Sequence, residues 1–143
     1  VTMIQRLSED HLYWVLAFLL WATKEGETWA IKRYFSKVPA LIRPLFVPYV
    51  INRLRKIYVA VGVGRHTDDV REKKWKEDFI ALNAVLGDKP FMLTHQQPST
   101  ADVIVYSFLA PIFKLKELAC FENVIHFLKE SAPQLIAYHD RIH

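Results

Sequence analysis

An all-α domain is the fold class this sequence predicts, and three observations predict it. Apolar residues recur at spacings of three and four along most of the chain. No stretch alternates with the strand period of two, and only four glycines are available for turns. At 143 residues and 52% hydrophobic, with nine Phe, six Tyr and four Trp, the chain can bury one sizeable core and is too apolar to remain disordered. The expected architecture is a single domain over residues 1–143, a bundle of about six to seven helices around a central buried helix starting at Ser99.

Ile4, Leu7, His11, Val15, Phe18 and Ala22 mark the first helix. Leu12, Leu16, Leu19 and Leu20 widen its stripe until the middle is apolar nearly all round, and Gly26 is expected to end it. Ile31, Tyr34, Phe35 and Val38 form a shorter stripe that stops at Pro39. Pro44 and Pro48 are expected to break the pattern, because each lacks an amide donor and clashes one turn back. Helical spacing resumes with Val50, Ile51, Leu54, Ile57, Tyr58 and Val61, and Gly62 and Gly64 close that helix.

Thr67 followed by Asp68 and Asp69 reads as an N-cap with acids in the first turn, where they complement the helix dipole. Val70, Trp75, Phe79, Leu82 and Leu86 carry this helix to Gly87. A loop with Pro90 and Pro98 leads to Ser99, and from Ala101 to Ala110 the next helix is apolar on almost every side; hence its expected central place, with Pro111 ending or kinking it. Two helices remain: one with Phe121, Val124, Ile125 and Leu128, and one with Leu135, Tyr138, His139 and Ile142 after Pro133, a favoured first-turn residue.

The net charge of +4 and pI near 9.2 raise the question of an anionic partner. In Arg71–Asp78 bases and acids interleave, which describes a solvated helix face. No nucleic-acid-binding motif accompanies them, so nucleic acid is not an expected partner. An anionic ligand or a membrane surface stays open, although the apolar run Leu12–Ala22 falls short of the roughly 18 residues that suggest a span.

The lone Cys120, beside Phe121, suits a buried thiol in a reducing compartment. With no signal-peptide pattern at the start, the expected location is the cytoplasm. His139 and His143 lie four apart but have no evident third ligand, so no metal site is expected. No phosphate-binding loop, dinucleotide fingerprint, nucleophile elbow or zinc-protease motif is present. A first residue of Val1 and an almost immediate helix suggest a piece of a longer protein.

The strongest local signal is Pro98-Ser99-Thr100-Ala101-Asp102-Val103. Ser99 and Asp102 have the spacing of a reciprocal capping box, with Asp in place of Glu or Gln, and Pro98 and Val103 occupy the hydrophobic-staple positions. Together with the approach Leu86-Gly87-Asp88-Lys89-Pro90-Phe91-Met92-Leu93, this segment resembles the signature of glutathione-transferase C-terminal domains. Three further segments resemble the failed-axon-connections and metaxin-like branch: Glu9–Trp14, Gly62–Thr67 and Pro133–Ile142. Thr94-His95 departs from that branch's frequent Gly-Asp.

The resemblance implies a separate N-terminal thioredoxin-like domain that binds most of glutathione, the co-substrate. It also implies a homodimer and a helical half that lines one wall of the active cleft with its first helix. On that basis Asp10, Tyr13, Trp14 and Ala17 share a helical side that can hold an apolar electrophile by stacking and burial. Ordinary core or interdomain packing is the competing reading for the two rings. Arg65 is suited to pairing with a carboxylate and His66 to carrying a proton near neutral pH. Alternatively they form a helix-to-helix turn in which Arg65 neutralises the preceding helix's last carbonyls. Two functions follow: the substrate-side half of an enzyme that conjugates glutathione or transfers thiols, or a non-catalytic binding or scaffold module of metaxin-like type.

Overall fold

The computed structural model describes residues 1–143 and contains helices only. Its α-helical segments are α1 (Thr2–Leu7), α2 (Tyr13–Ala22), α3 (Lys24–Tyr34), α4 (Arg43–Val61), α5 (Asp68–Leu86), α6 (Thr100–Lys114), α7 (Ala119–Ser131) and α8 (Pro133–Ile142). A π turn, Ser8–Leu12, joins α1 to α2 with right-handed helical backbone at both junctions. These two segments therefore make one rod, and the bundle has seven rods. The all-α fold expected from the sequence is what forms. One core of 23 buried residues runs from Ile4 to Tyr138, so every part of the chain except the outlying α3–α4 corner feeds it.

Gly26 does not end the first rod. Thr23 does, with extended backbone (φ −79°, ψ 147°), and its hydroxyl accepts from the Gly26 amide at 3.2 Å as the N-cap of α3. Gly26 instead lies inside α3, buried against α2. A Cβ there would sit 2.5 Å from the Leu20 carbonyl oxygen and 2.7 Å from that of Leu19. The glycine permits the close approach of two consecutive helices, which a sequence pattern reads as a stop.

The prolines also behave differently from expectation. α4 begins at Arg43, so Pro44 falls in the first turn, where its missing amide costs nothing. Pro48 is inside the helix; both prolines are exposed, so water can satisfy the carbonyl that loses its partner. Of the two expectations for Pro111, that it ends the helix is excluded, since α6 continues past it to Lys114. Gly62 closes α4 in the left-handed region, at φ 100°, as predicted. Thr67 holds the N-cap position of α5, but its side chain caps no amide.

The helix after Ser99 is not enclosed on all sides. α6 buries Ala101, Asp102, Val105, Leu109 and Ile112, a single stripe packed against α1, the π turn, α7 and α8. Its opposite face is open: Val103 is 69% exposed. Pro98 is exposed as well, so the expected staple is not made. The run of apolar residues overstated the burial because composition does not say which neighbours arrive.

Candidate functional site

The capping box of α6 is formed and reaches further than a cap. The Ser99 amide donates to Asp102 Oδ2 at 2.7 Å, and the Ser99 hydroxyl donates to the same oxygen at 2.8 Å. Asp102 Oδ1 accepts the Met92 amide at 2.7 Å and the Tyr138 hydroxyl at 3.1 Å. One buried carboxylate therefore ties together the 87–99 loop, the start of α6 and the middle of α8. Burial pushes its pKa up, but the bonds from Met92, Ser99 and Tyr138 outweigh burial and hold the carboxyl below its ordinary value. Burial, reinforced by this neighbouring charge, pushes the Tyr138 phenol up strongly. This constellation is structural: Met92, Asp102 and Tyr138 are buried, and the half-buried Ser99 spends its amide and hydroxyl on the carboxylate.

The cleft-facing candidates lie around the π turn. Asp10 is exposed and pairs with Arg6 at 3.7 Å. Tyr13 is 51% exposed, and its ring meets the half-buried Trp14 edge to face at 5.0 Å. Ala17 is half-buried and lends its carbonyl to the Tyr58 hydroxyl at 3.3 Å. Burial pushes the Tyr58 phenol up to about 12. The inserted residue of the π turn advances the phase of the rod, so Asp10 before it and Ala17 after it do not stand in simple helical register. Ser8, at the head of the turn, is buried, and its hydroxyl has no partner.

The Arg65–His66 pair sits in a 3-10 turn, Val63–Arg65, between α4 and α5. Arg65 Nε donates to the Val59 carbonyl at 2.8 Å and Nη2 to Ala60 at 3.1 Å. The guanidinium thus covers the last carbonyls of α4, while its Nη1 edge has no protein acceptor. His66 Nε2 accepts from Lys74 Nζ at 3.0 Å. Desolvation, then the cations Lys74, Arg71 and Arg65 with His11 among them, lower the His66 pKa. Its imidazole is therefore held neutral near pH 7, as accepting from a lysine requires.

Tertiary structure adds residues that sequence patterns did not single out. His11, on the π turn, hydrogen-bonds Asp78 of α5 through Nδ1, a partner 67 residues away. Its helical spacing had placed it within the apolar stripe; only the close packing of the turn on α5 reveals the pairing. Lys74 and Asp78, one turn apart on α5, therefore receive His66 and His11 respectively. Two segments far apart in sequence, Glu9–Trp14 and Gly62–Thr67, converge on one stretch of α5.

Two cavities lie elsewhere. A groove of about 510 Å³ between α2, α5 and α7 has aromatic walls of Phe18, Trp75 and Phe127 and the half-buried thiol of Cys120 at one side. Arg71 stacks over Phe18 at 4.1 Å while bonding the carbonyls of Val63 and His66 and the carboxylate of Asp68. A second cavity of about 910 Å³ lies between α3, α6 and α8. There His139 stacks on Phe113 at 4.0 Å and on His143 at 5.5 Å. Neither cavity is lined by the candidate residues of the first rod or of the Val63–His66 turn.

Residues 75–142, just under half of the chain, match the model of the family described as glutathione S-transferase, C-terminal domain. Comparisons with curated proteins and with solved structures gave no match. The matched stretch contains most of α5 and the whole of α6, α7 and α8, including the Asp102 constellation. It supports a glutathione-transferase C-terminal domain, and the all-helical fold is consistent with that class. No helix is long and apolar enough to cross a membrane.

Proposed function

We propose that this chain is the helical half of a glutathione-transferase-like protein of the failed-axon-connections and metaxin-like branch. In this reading it supplies the substrate-side wall of a cleft whose thiol comes from a thioredoxin-like domain, acting as a homodimer in the cytoplasm. The observation that carries the proposal is the convergence of Glu9–Trp14 and Gly62–Thr67 on α5 beside the exposed Tyr13 ring. Both segments are ones that carry the resemblance to that branch.

The chemistry follows from what each group has free. Tyr13 and Trp14 offer apolar ring surface for an electrophile, while the π turn takes Asp10 and Ala17 out of simple helical register with each other. Lys74, steadied by a neutral His66, and the open Nη1 edge of Arg65 offer positive charge to a carboxylate of substrate or glutathione. Positioning the electrophile is this half's contribution; activating the thiol is the other's. In the protein carrying both halves, Trp14→Ala is expected to raise KM for an aromatic electrophile by about tenfold with kcat nearly unchanged, the signature of lost uniform binding. Arg65→Ala should weaken glutathione or carboxylate binding. Unchanged KM and affinity in both variants would remove the proposal.

The second reading, a non-catalytic binding module, is favoured by one observation: His11, His66 and Arg65 all have partners within the chain. Absence of glutathione conjugation by the two-domain protein, with the same surface still binding a partner, would select it. The 143-residue chain by itself is expected to conjugate no glutathione, and detectable turnover by it would overturn the division of labour proposed here.

A further inference from the structure

The formal charge of +4 conceals a segregation. From Thr28 to Thr67 there are eight basic residues and no acidic one, whereas the remaining residues carry eleven basic and fifteen acidic. This basic segment contains the corner between α3 and α4, where several exposed apolar side chains lie within a few residues of one another: Leu41 is 91% exposed, Leu45 81% and Tyr49 60%. Scattered exposed apolar residues need no explanation, but a cluster of this size on one projecting corner does.

The outer stripe of α4 orders these properties along the helix. Leu45, Tyr49, Arg53 and Lys56, spaced four, four and three apart, are all exposed, while Val47, Ile51 and Tyr58 face inward. The stripe therefore passes from apolar at the corner to basic two to three turns on. Arg53 and Lys56 have no acidic partner, and neither do Lys32, Arg33 and Lys37. The corner is also held firmly. Phe46 packs edge to face on Phe35 at 6.0 Å, and Phe35 on Trp21 at 6.3 Å. Arg43 ties the turn by donating to the carbonyls of Ser36 and Val38, each at 2.8 Å.

We propose that the α3–α4 corner is a docking surface for an anionic lipid bilayer, with Leu41 and Leu45 entering the acyl boundary and Arg53 and Lys56 meeting headgroups. Charge complementarity selects this occupant. A second copy would bring the same unpaired cations face to face in an isologous contact. Nucleic acid would satisfy the cations but has no use for projecting leucines. An apolar tip backed by unpaired cations is the arrangement that lies on a membrane without spanning it.

Vesicle co-sedimentation of the 143-residue chain tests this. Vesicles rich in phosphatidylserine should bind it, pure phosphatidylcholine should bind far less, and raised salt should release it. Leu41→Ser with Leu45→Ser should weaken partitioning by about tenfold or more. Arg53→Glu with Lys56→Glu should weaken it by at least about twentyfold. Both pairs lie at exposed positions, and an unchanged urea midpoint would confirm that the fold survives. Should a variant unfold, the lipid preference and salt release of the unaltered chain still decide. Three results would each overturn the proposal: no binding, equal binding to both vesicle types, or displacement from anionic vesicles by equimolar RNA.

Discussion

Replacing Asp102 by alanine removes the acceptor for four donors at once. The Met92 amide, on a residue with no exposure, and the Ser99 amide lose their partners. The Ser99 hydroxyl can turn elsewhere, and the Tyr138 hydroxyl keeps the Asp102 backbone carbonyl at 3.1 Å. Two orphaned amides at about 1–3 kcal/mol each, offset in part by the desolvation no longer imposed on a charge, give a net loss of about 2–4 kcal/mol. For a chain of this size that is roughly 6–15 °C in Tm.

Urea unfolding followed by circular dichroism measures the loss, and amide exchange at Met92 and Ser99 locates it, since both should exchange fast in the variant. The acid limb adds a second readout. The folded-state pKa lies below the ordinary 3.8, so the carboxylate's contribution is complete above that value and is lost as pH falls through the depressed one. Asp102→Ala should therefore flatten the acid limb of the stability curve. A loss under about 1 kcal/mol with the acid limb intact would refute the assignment of this carboxylate as the tie between loop, α6 and α8.

Gly26→Ala, ordinarily a gain inside a helix, is expected to cost about 2 kcal/mol or more, because the added carbon meets two backbone oxygens that cannot move aside; a Tm scan reads the sign directly. Ser8→Ala should stabilise by up to about 1 kcal/mol in urea titration, since it removes a buried hydroxyl without a partner. The His66 pKa lies below the ordinary 6.5, so its neutral form favours the fold above that value and stability declines as pH falls below it. His66→Ala should reduce that decline in unfolding curves measured across the window. Burial, then Glu25, raise the pKa of the Cys120 thiol. A disulfide reagent at mild alkaline pH should thus label the folded chain about tenfold or more slower than the chain in denaturant.

The helical class, the Gly62 and Gly87 stops, the Pro133 start and the Ser99–Asp102 box were all readable from residue order, because each rests on periodicity or on groups three or four residues apart. Gly26 and Pro48 misled for a shared reason. A glycine or proline reads as a break unless its surroundings are known, and here a neighbouring helix needs the one and solvent tolerates the other. Val103 shows the same limit for burial: an apolar residue announces a cost of exposure, not the presence of a neighbour to relieve it.

The pairing of His11 with Asp78, of Lys74 with His66, and of Met92 and Tyr138 with the Asp102 carboxylate belongs to tertiary structure alone. Sequence by itself determined which stretches coil and where most of them stop, since backbone hydrogen bonds and caps are local. Only the packing of the rods decided which polar groups meet, how the π turn re-aims the first rod, and which apolar corner stays uncovered. Those outcomes depend on contacts between residues dozens of positions apart, and no local spacing records them.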